Sequence, residues 1–304
     1  MKIWQKVLVS KILTGLGVFR VIRDLHRLWE RGYVLGKLRR REIAQTGRFV
    51  TYKDSRVEMV FDLNSVHDYD MLRRLRSPKG YEAGVVRLIE LGLNEGSTFV
   101  DVGASNGYFS LLAAAKVGPT GRVFAFEPAP ASVERLRKNA TLNGFHRIDI
   151  HQAAVSNYGG SAELYLSEIE DGLNSLVRKS ESSTVVDVVT LDSILAGCRV
   201  DMIKIDAEGS EEAVLEGMRE TIRANPELKI VIEWNPEVSR NHILKFLSNS
   251  FEVYIVEEDA IRSPSHPVNS ERDLSDLIVN LYCCPKGGTM LRDGGSALLG
   301  GNHA

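Results

Sequence analysis

The sequence predicts an α/β protein on a Rossmann-like, doubly wound and mostly parallel sheet, and three observations predict it. From about residue 81, short apolar strands alternate with helical patterns, the order that parallel sheets with right-handed crossovers produce. One strand, Thr98–Val102, runs into a glycine turn, Gly103 to Gly107, and then into a helix opened by Tyr108, Leu111 and Leu112. The last two strand-like runs, 251–256 and 277–282, have no helix between them. They are expected to close a seven-stranded sheet as an antiparallel hairpin.

Taken in order, residues 1–48 read as a basic amphipathic helical extension. Trp4, Val7, Leu8, Ile12, Leu16, Phe19, Ile22, Leu25 and Trp29 recur at helical spacing among Lys2, Lys6, Lys11, Arg20, Arg23, Arg27 and Arg31. Such a face suits an anionic membrane surface or self-association through residues 1–45. The plainer reading of the same pattern is a helix packed on its own domain or on a second subunit, with its basic side solvated. Residues 49–80 shorten to strand-like pieces (49–52 and 57–63) and a polar segment with His67, Asp68, Tyr69 and Asp70, read as a small β and lid segment.

Residues 81–285 form the main domain. Its strands are expected at 98–102, 122–126, 148–155, 201–206 and 228–234, with helices at 131–143, 210–222 and 236–247. Between the third and fourth strands, residues 156–190 hold short β pieces (162–166, 185–189) where a helix is expected, so they read as a small β insertion. Residues 286–304 are Gly-rich and read as a flexible tail.

Composition narrows the function. At 304 residues, 43% hydrophobic and 26% charged, the chain has ordinary globular composition. A net charge of −2 offers no global attraction to nucleic acid, which is not expected as a partner. Cys198, Cys283 and Cys284 are too few and too badly spaced for a disulfide framework or zinc site, so no metal is expected. No run approaches the ~20 apolar residues of a membrane span. The expected location is cytoplasmic, peripheral at the membrane if the N-terminus docks there.

The glycine turn carries the first chemistry. Gly103, Ala104, Ser105, Asn106 and Gly107 leave a buried strand without bulk and point backbone N–H groups at a ligand. Their pattern is D-x-G-x-x-x-G, not the G-x-G-x-x-G of a pyrophosphate site. Asp101, at the strand end, would repel two phosphates and attract an ammonium or sulfonium. S-Adenosyl-L-methionine carries both and is the expected cofactor. Glu127, with Pro128 behind it, ends the second strand about 20 residues after the turn, where a carboxylate accepts ribose hydroxyls. Gln152 and the Ala153 backbone are candidates to meet the adenine.

Ligands of open α/β sheets lie outside the carboxyl ends of the strands, and the remaining candidates gather there. Asp206 and Glu208 follow the fourth strand, and Glu233 nearly ends the fifth. Methyl transfer to a hydroxyl needs alignment, exclusion of water and a base for the proton. Asp206 is the first candidate base, beside the reacting end of the cofactor. Glu208 and Glu233 would pin substrate hydroxyls, and His67 is a candidate from the lid, although a lone His is more often a surface residue. Lys204, mid-strand, reads as half of a structural ion pair.

These stretches resemble a known family. Asp101-Val-Gly103-Ala-Ser-Asn-Gly107-Tyr108, Phe126-Glu127-Pro128, Ala154-Val155-Ser156 and Ile203-Lys204-Ile205-Asp206-Ala207-Glu208-Gly209-Ser210-Glu211 resemble the FkbM family of S-adenosylmethionine-dependent methyltransferases, of class I. Tyr81-Glu82 and Val231-Ile232-Glu233 sit where that family has similar residues. The likeness covers roughly residues 80–255, and its I-K-I-D-x-E-G-x-E stretch is far more specific than the glycine turn. Ala207 and Ser210 are minor departures. The resemblance implies O-methyl transfer to a hydroxyl of a sugar, glycolipid or related metabolite, so a small-molecule or glycan acceptor. It also implies that Asp101, Gly103 and Glu127 hold the cofactor and that Asp206 to Glu208 border the reaction centre. Two rivals stand beside it: an N- or protein methyltransferase, which would want an N-P-P-Y motif where Asp206-Ala-Glu-Gly209 stands, and a non-catalytic cofactor-binding or membrane-associated scaffold module.

Overall fold

The computed structural model describes residues 44–50, 56–62, 65–167, 174–177, 179–235, 241–256, 268, 274 and 278–287. The expected helical extension up to residue 43 and the expected tail beyond residue 287 lie outside them. In chain order, β1 (Ala44–Val50) and β2 (Arg56–Asp62) precede α1 (Val66–Leu75) and α2 (Ala83–Gly92). Then come β3 (Thr98–Val102), α3 (Tyr108–Val117), β4 (Arg122–Phe126), α4 (Pro130–Leu142) and β5 (Ile148–His151). β6 (Ala153–Val155), β7 (Gly160–Leu166), β8 (Ser182–Val189) and the short α5 (Leu191–Ile194) lead to β9 (Met202–Ile205). The chain continues through α6 (Glu211–Glu216), α7 (Arg219–Ala224), β10 (Lys229–Trp234), α8 (Asn241–Ser250), β11 (Phe251–Val256) and β12 (Val279–Pro285).

The main sheet has seven strands in the order β11-β12-β10-β9-β3-β4-β5. Pairings from β10 through β9, β3 and β4 to β5 are parallel, and β12 alone opposes its neighbours β10 and β11. The α/β doubly wound fold with its closing hairpin is therefore the one formed. All five residues of β3 are buried, as a parallel strand covered on both faces must be. On one face Phe99, Ala125, Met202, Val231 and Tyr282 pack with Leu88 and Ile89 of α2, Leu112 of α3, and Met59 and Phe61 of β2. On the other, Val100, Val102, Ile203, Ile205 and Ile232 pack with Val214 of α6 and Leu247 of α8. Each such fully buried aliphatic side chain contributes about 1.5–3 kcal/mol.

Three boundaries differ from expectation. Strand pairing begins at Ala44, inside the expected helical extension, because residues 44–50 pair in register with 56–62. The expected third strand breaks at Gln152: β5 stays in the main sheet, while β6 pairs with β8 in a separate three-stranded sheet that also holds β7. The expected helix 210–222 divides into α6 and α7 at Gly217. A Cβ at Gly217 would collide with the Ser156 carbonyl oxygen, so glycine is what lets the break between the two helices lie against the start of the β insertion.

Candidate functional site

Register places the polar groups of the carboxyl edge in rows. Asp101 of β3 pairs with Lys204 of β9, and Lys204 with Val231 of β10. Two residues further on, where side chains return to the same face, come Gly103, Asp206 and Glu233, and Glu233 pairs with Asn280 of β12. The face is the one covered by α2 and α3. Asn280 Nδ2 donates to Glu82 Oε2 at 3.2 Å, which brings the start of α2 over the end of the row.

Lys204 organises this edge. Its side chain is 2% exposed, its Nζ donates to Asp206 Oδ2 at 2.9 Å, and it lies 4.6 Å from the centre of the Phe109 ring. The expected ion pair is formed. Burial works against its charge, but Asp206, Glu82 and Asp101 outweigh burial and hold its pKa above the ordinary lysine value. Asp101 is 1% exposed; Oδ2 accepts from Ser110 Oγ at 2.6 Å, and Oδ1 has no hydrogen-bond partner among the described residues. Burial raises its pKa, opposed by Lys204 and Ser110.

Glu233 is raised to about 9, first by the charge of Asp206, then by burial and by Glu208 and Glu211, with Lys204 opposing. Glu211 shapes the turn between them: its Oε1 accepts from Ala207 N at 3.0 Å and Gly209 N at 3.1 Å. Within that turn Glu208 takes a left-handed φ of 49°, and its carbonyl accepts from Ser175 Oγ at 2.7 Å. Tyr81 stands edge-on to Tyr108 at 5.6 Å. Burial, Glu82 and Asp206 push its hydroxyl pKa well up.

The glycine turn forms the second part. Gly103 N and Ala104 N both donate to the Phe126 carbonyl, which sets the turn against the end of β4. Gly103 has φ 79°, and a Cβ there would collide with the Asp206 carbonyl oxygen, so only glycine lets β3 and β9 close up. Glu127 Oε2 accepts from Ser105 N at 2.9 Å and Oε1 from Ala129 N at 2.8 Å. Burial lifts its pKa to about 7 against those two bonds. Pro128 is half-buried, Ala153 buried and Gln152 exposed, at the break between β5 and β6.

The predicted residues thus fall into two groups. Gly103, Asp206 and Glu233 share one row, with Asp101 in the row before it and Glu208 close by. Ala104, Ser105, Asn106, Gly107 and Glu127 form the wall of the turn. His67 joins the wall: its Nε2 lies 3.4 Å from Ser105 Oγ, on the glycine-turn side of the site. The expected lid is also tied there, since Asp68 Oδ1 accepts from Asn106 Nδ2 at 2.8 Å. Glu82, Glu211 and Asn280 belong to the carboxylate row without having been candidates. Glu82 and Glu211 lay inside the motif stretches; Asn280 carried no signal short of the β10–β12 register. A cavity of about 480 Å³ opens elsewhere, between Val117, Gly118, Val123, Asn143 and Phe145, near the starts of β4 and β5. No set of three or more His, Cys, Asp or Glu among the described residues is arranged to hold a metal ion. No helix among them is long and apolar enough to cross a membrane.

Comparison with known proteins gives the following. A family model described as "Methyltransferase FkbM domain" matches residues 101–254. "Methyltransferase 1" of Beauveria bassiana is 27% identical over 146 residues, covering 40% of this chain and 58% of that protein. "Hexuronic acid methyltransferase AglP" of Haloferax volcanii is 25% identical over 193 residues, covering 62% of this chain and 76% of the relative. Among solved structures, methyltransferase FkbM from Methylobacillus flagellatus KT aligns with a TM-score of 0.41 and 21% identity, over 63% of this chain and 44% of that one. The chain spans less than two thirds of the length of both the Beauveria relative and the Methylobacillus protein.

Proposed function

Since this chain belongs to the FkbM family of S-adenosylmethionine-dependent methyltransferases, we propose that it transfers a methyl group to a hydroxyl of a sugar, glycolipid or related small molecule. The observation that carries the reading is the row Gly103–Asp206–Glu233 beside an orphaned carboxylate oxygen of Asp101. The name of the AglP relative supports a sugar acceptor.

The residues fit the cofactor. A buried acceptor atom without a partner, Asp101 Oδ1, suits an ammonium group, and a field of carboxylates suits a cation. Asp101 and the turn from Gly103 to Gly107 would hold the amino-acid end, and Glu127 the ribose, its two oxygens keeping lone pairs beyond the backbone N–H groups they already accept. Gln152, Ala153 and Pro128 would border the adenine. When bound, the cofactor supplies an electrophilic methyl group on a sulfonium.

Asp206 is the proposed general base. It is 26% exposed, so an incoming hydroxyl can reach it, and its other flank is anchored by Lys204. It would take the hydroxyl proton as the oxygen becomes nucleophilic, a contribution of about 10²–10⁴-fold. Glu208 and Glu233 would orient the acceptor, and Tyr81 with Phe109 would keep water from the buried side. His67 would steady Ser105 and has no proton-transfer role in this scheme.

The test is methyl transfer from labelled cofactor into glycan and lipid extracts, with Asp206→Asn as control. Transfer should fall at least about 100-fold while cofactor affinity stays within a few-fold. Cofactor binding with no transfer by the native chain would leave a binding module in place of an enzyme. Pull-down of the full chain on anionic vesicles tests the separate proposal of membrane association through residues 1–45.

A further inference from the structure

The β insertion reaches the turn after β9 through one side chain. Ser175, 1% exposed, donates from Oγ to the Glu208 carbonyl at 2.7 Å. The same Oγ accepts from Val177 N at 3.1 Å, so the proton and a lone pair of the hydroxyl each have a fixed direction. Ser175 is itself held on β7: its N–H donates to the Tyr165 carbonyl at 3.0 Å, and its carbonyl accepts from Tyr165 N at 2.9 Å. On one side Asn174 Oδ1 accepts from Ser167 N at 2.9 Å. On the other, Leu176 packs on the small core of Ala154, Leu164, Val186 and Val188.

What Ser175 grips is a strained turn. Asp206 N donates to the Val102 carbonyl, and Glu211 Oε1 gathers Ala207 N and Gly209 N. Those anchors belong to the main sheet and to the turn itself, whereas the bond on Glu208 comes from the insertion. Glu208 has φ 49°, a left-handed backbone that a residue with a Cβ keeps only when its surroundings impose it. Released, Glu208 would relax toward negative φ, swing its carboxylate away and pull on Asp206 two residues before it.

Building on the methyltransferase reading, we infer that Ser175 is a positioning residue for methyl transfer: through its bond to the Glu208 carbonyl, the β insertion sets where Asp206 and Glu208 meet the acceptor. Lys204 fixes the carboxylate of Asp206 from the core, and Ser175 fixes the backbone of the same turn from the insertion. The insertion is then a working wall of the acceptor site. A displacement of these carboxylates by about 1 Å is enough to cost on the order of 100-fold in rate.

The experiment uses the full chain and measures methyl transfer from labelled cofactor into the extract that the native chain methylates, at sub-saturating extract, alongside the cofactor Kd by titration. Ser175→Ala should lower transfer about 10- to 100-fold. Its cofactor Kd should stay within a few-fold of native, because the bonds of the glycine turn to Phe126 and Glu127 are untouched. Ser180→Ala is the control: it removes the Ser180 Oγ bond to the Leu166 carbonyl, elsewhere in the insertion, and should transfer near the native rate. Ser175→Cys fills the same space with a weak donor; it should lose transfer several-fold and carries the test if the alanine variant fails to fold. Native-rate transfer by either folded Ser175 variant overturns the inference. So does an equal loss in Ser180→Ala, or a weakening of cofactor Kd that accounts for the whole loss of transfer. Each of these leaves the methyltransferase reading intact, whereas a native chain that binds cofactor and transfers no methyl group removes that reading and the inference with it.

Discussion

Asp68 and Asn106 join the segment before the main domain to the heart of the site. The Asp68 side chain is fully buried; Oδ1 accepts from Asn106 Nδ2 at 2.8 Å and Oδ2 from Asp62 N at 2.8 Å. Asn106 in turn accepts from Asn139 Nδ2 through its carbonyl, and Asn139 Oδ1 takes Val60 N. One network therefore ties β2, α1, α4 and the glycine turn together. The segment that reads as a lid in the sequence is built into the turn as a brace.

Removing the brace should be costly. Asp68→Ala leaves the buried donor Asn106 Nδ2 short of an acceptor, at about 1–3 kcal/mol, and the part-buried Asp62 N at less, since water can reach it. Urea unfolding should show a loss of a few kcal/mol, and cofactor titration a weaker Kd, because the turn that holds it loosens. Unchanged affinity in a folded variant would uncouple the brace from the cofactor wall.

Gly103 offers a sharper contrast. Gly103→Ala puts a Cβ into the Asp206 carbonyl oxygen at a backbone φ of 79°, so both strand closure and the cofactor wall should fail. Gly144→Ala, at φ 67° with open space around it, meets only the left-handed penalty of about 1–2 kcal/mol. Cofactor binding by the two purified variants separates the effects: Gly144→Ala should bind as the native chain does and Gly103→Ala should not.

The parts of this site that could be read in the sequence are the local ones. The turn after β3 and the stretch from Ile203 to Glu211 keep strand, turn and side chains within ten residues or so, where periodicity and glycine position speak directly. The break at Gln152 was hidden because residues 148–155 form a continuous strand-like run, and which sheet each half joins depends on the distant β8. The partnership of Asn280 with Glu82 spans 198 residues and exists only because β12 inserts antiparallel beside β10. A polar residue inside a strand gives no local sign of such a partner.

Lys204 is expected to be worth more to the fold than a surface ion pair. Lys204→Met fills the same slot against Phe109 but leaves Asp206, Asp101 and Glu82 without their shared cation. Breaking a buried pair from one side costs about 3–5 kcal/mol. The penalty should be larger at pH 8 than at pH 3, because acid protonates Asp101, whose pKa burial raises, and an uncharged carboxyl no longer needs the cation. Denaturant unfolding at the two pH values checks this, and a loss of equal size at both would point to packing as the cause.

Glu233 gives the opposite sign. Its folded pKa of about 9 lies above the ordinary value of 4.5, through Asp206 first and burial second. Below pH 4.5 folded and unfolded chains are both protonated, and Glu233 costs nothing. Between 4.5 and 9 the unfolded chain gives up the proton while the fold retains it, so this residue's contribution to stability falls as pH rises and levels off above 9. Glu233→Gln removes the titration and keeps the shape. The variant should match the native chain at pH 4 and unfold at a higher temperature at pH 8, by about 2–4 °C for each kcal/mol relieved. Thermal unfolding of both proteins across pH 4 to 9 reads the difference directly, and a gap that does not widen with pH would mean that the charge of Asp206 does not hold the proton on Glu233.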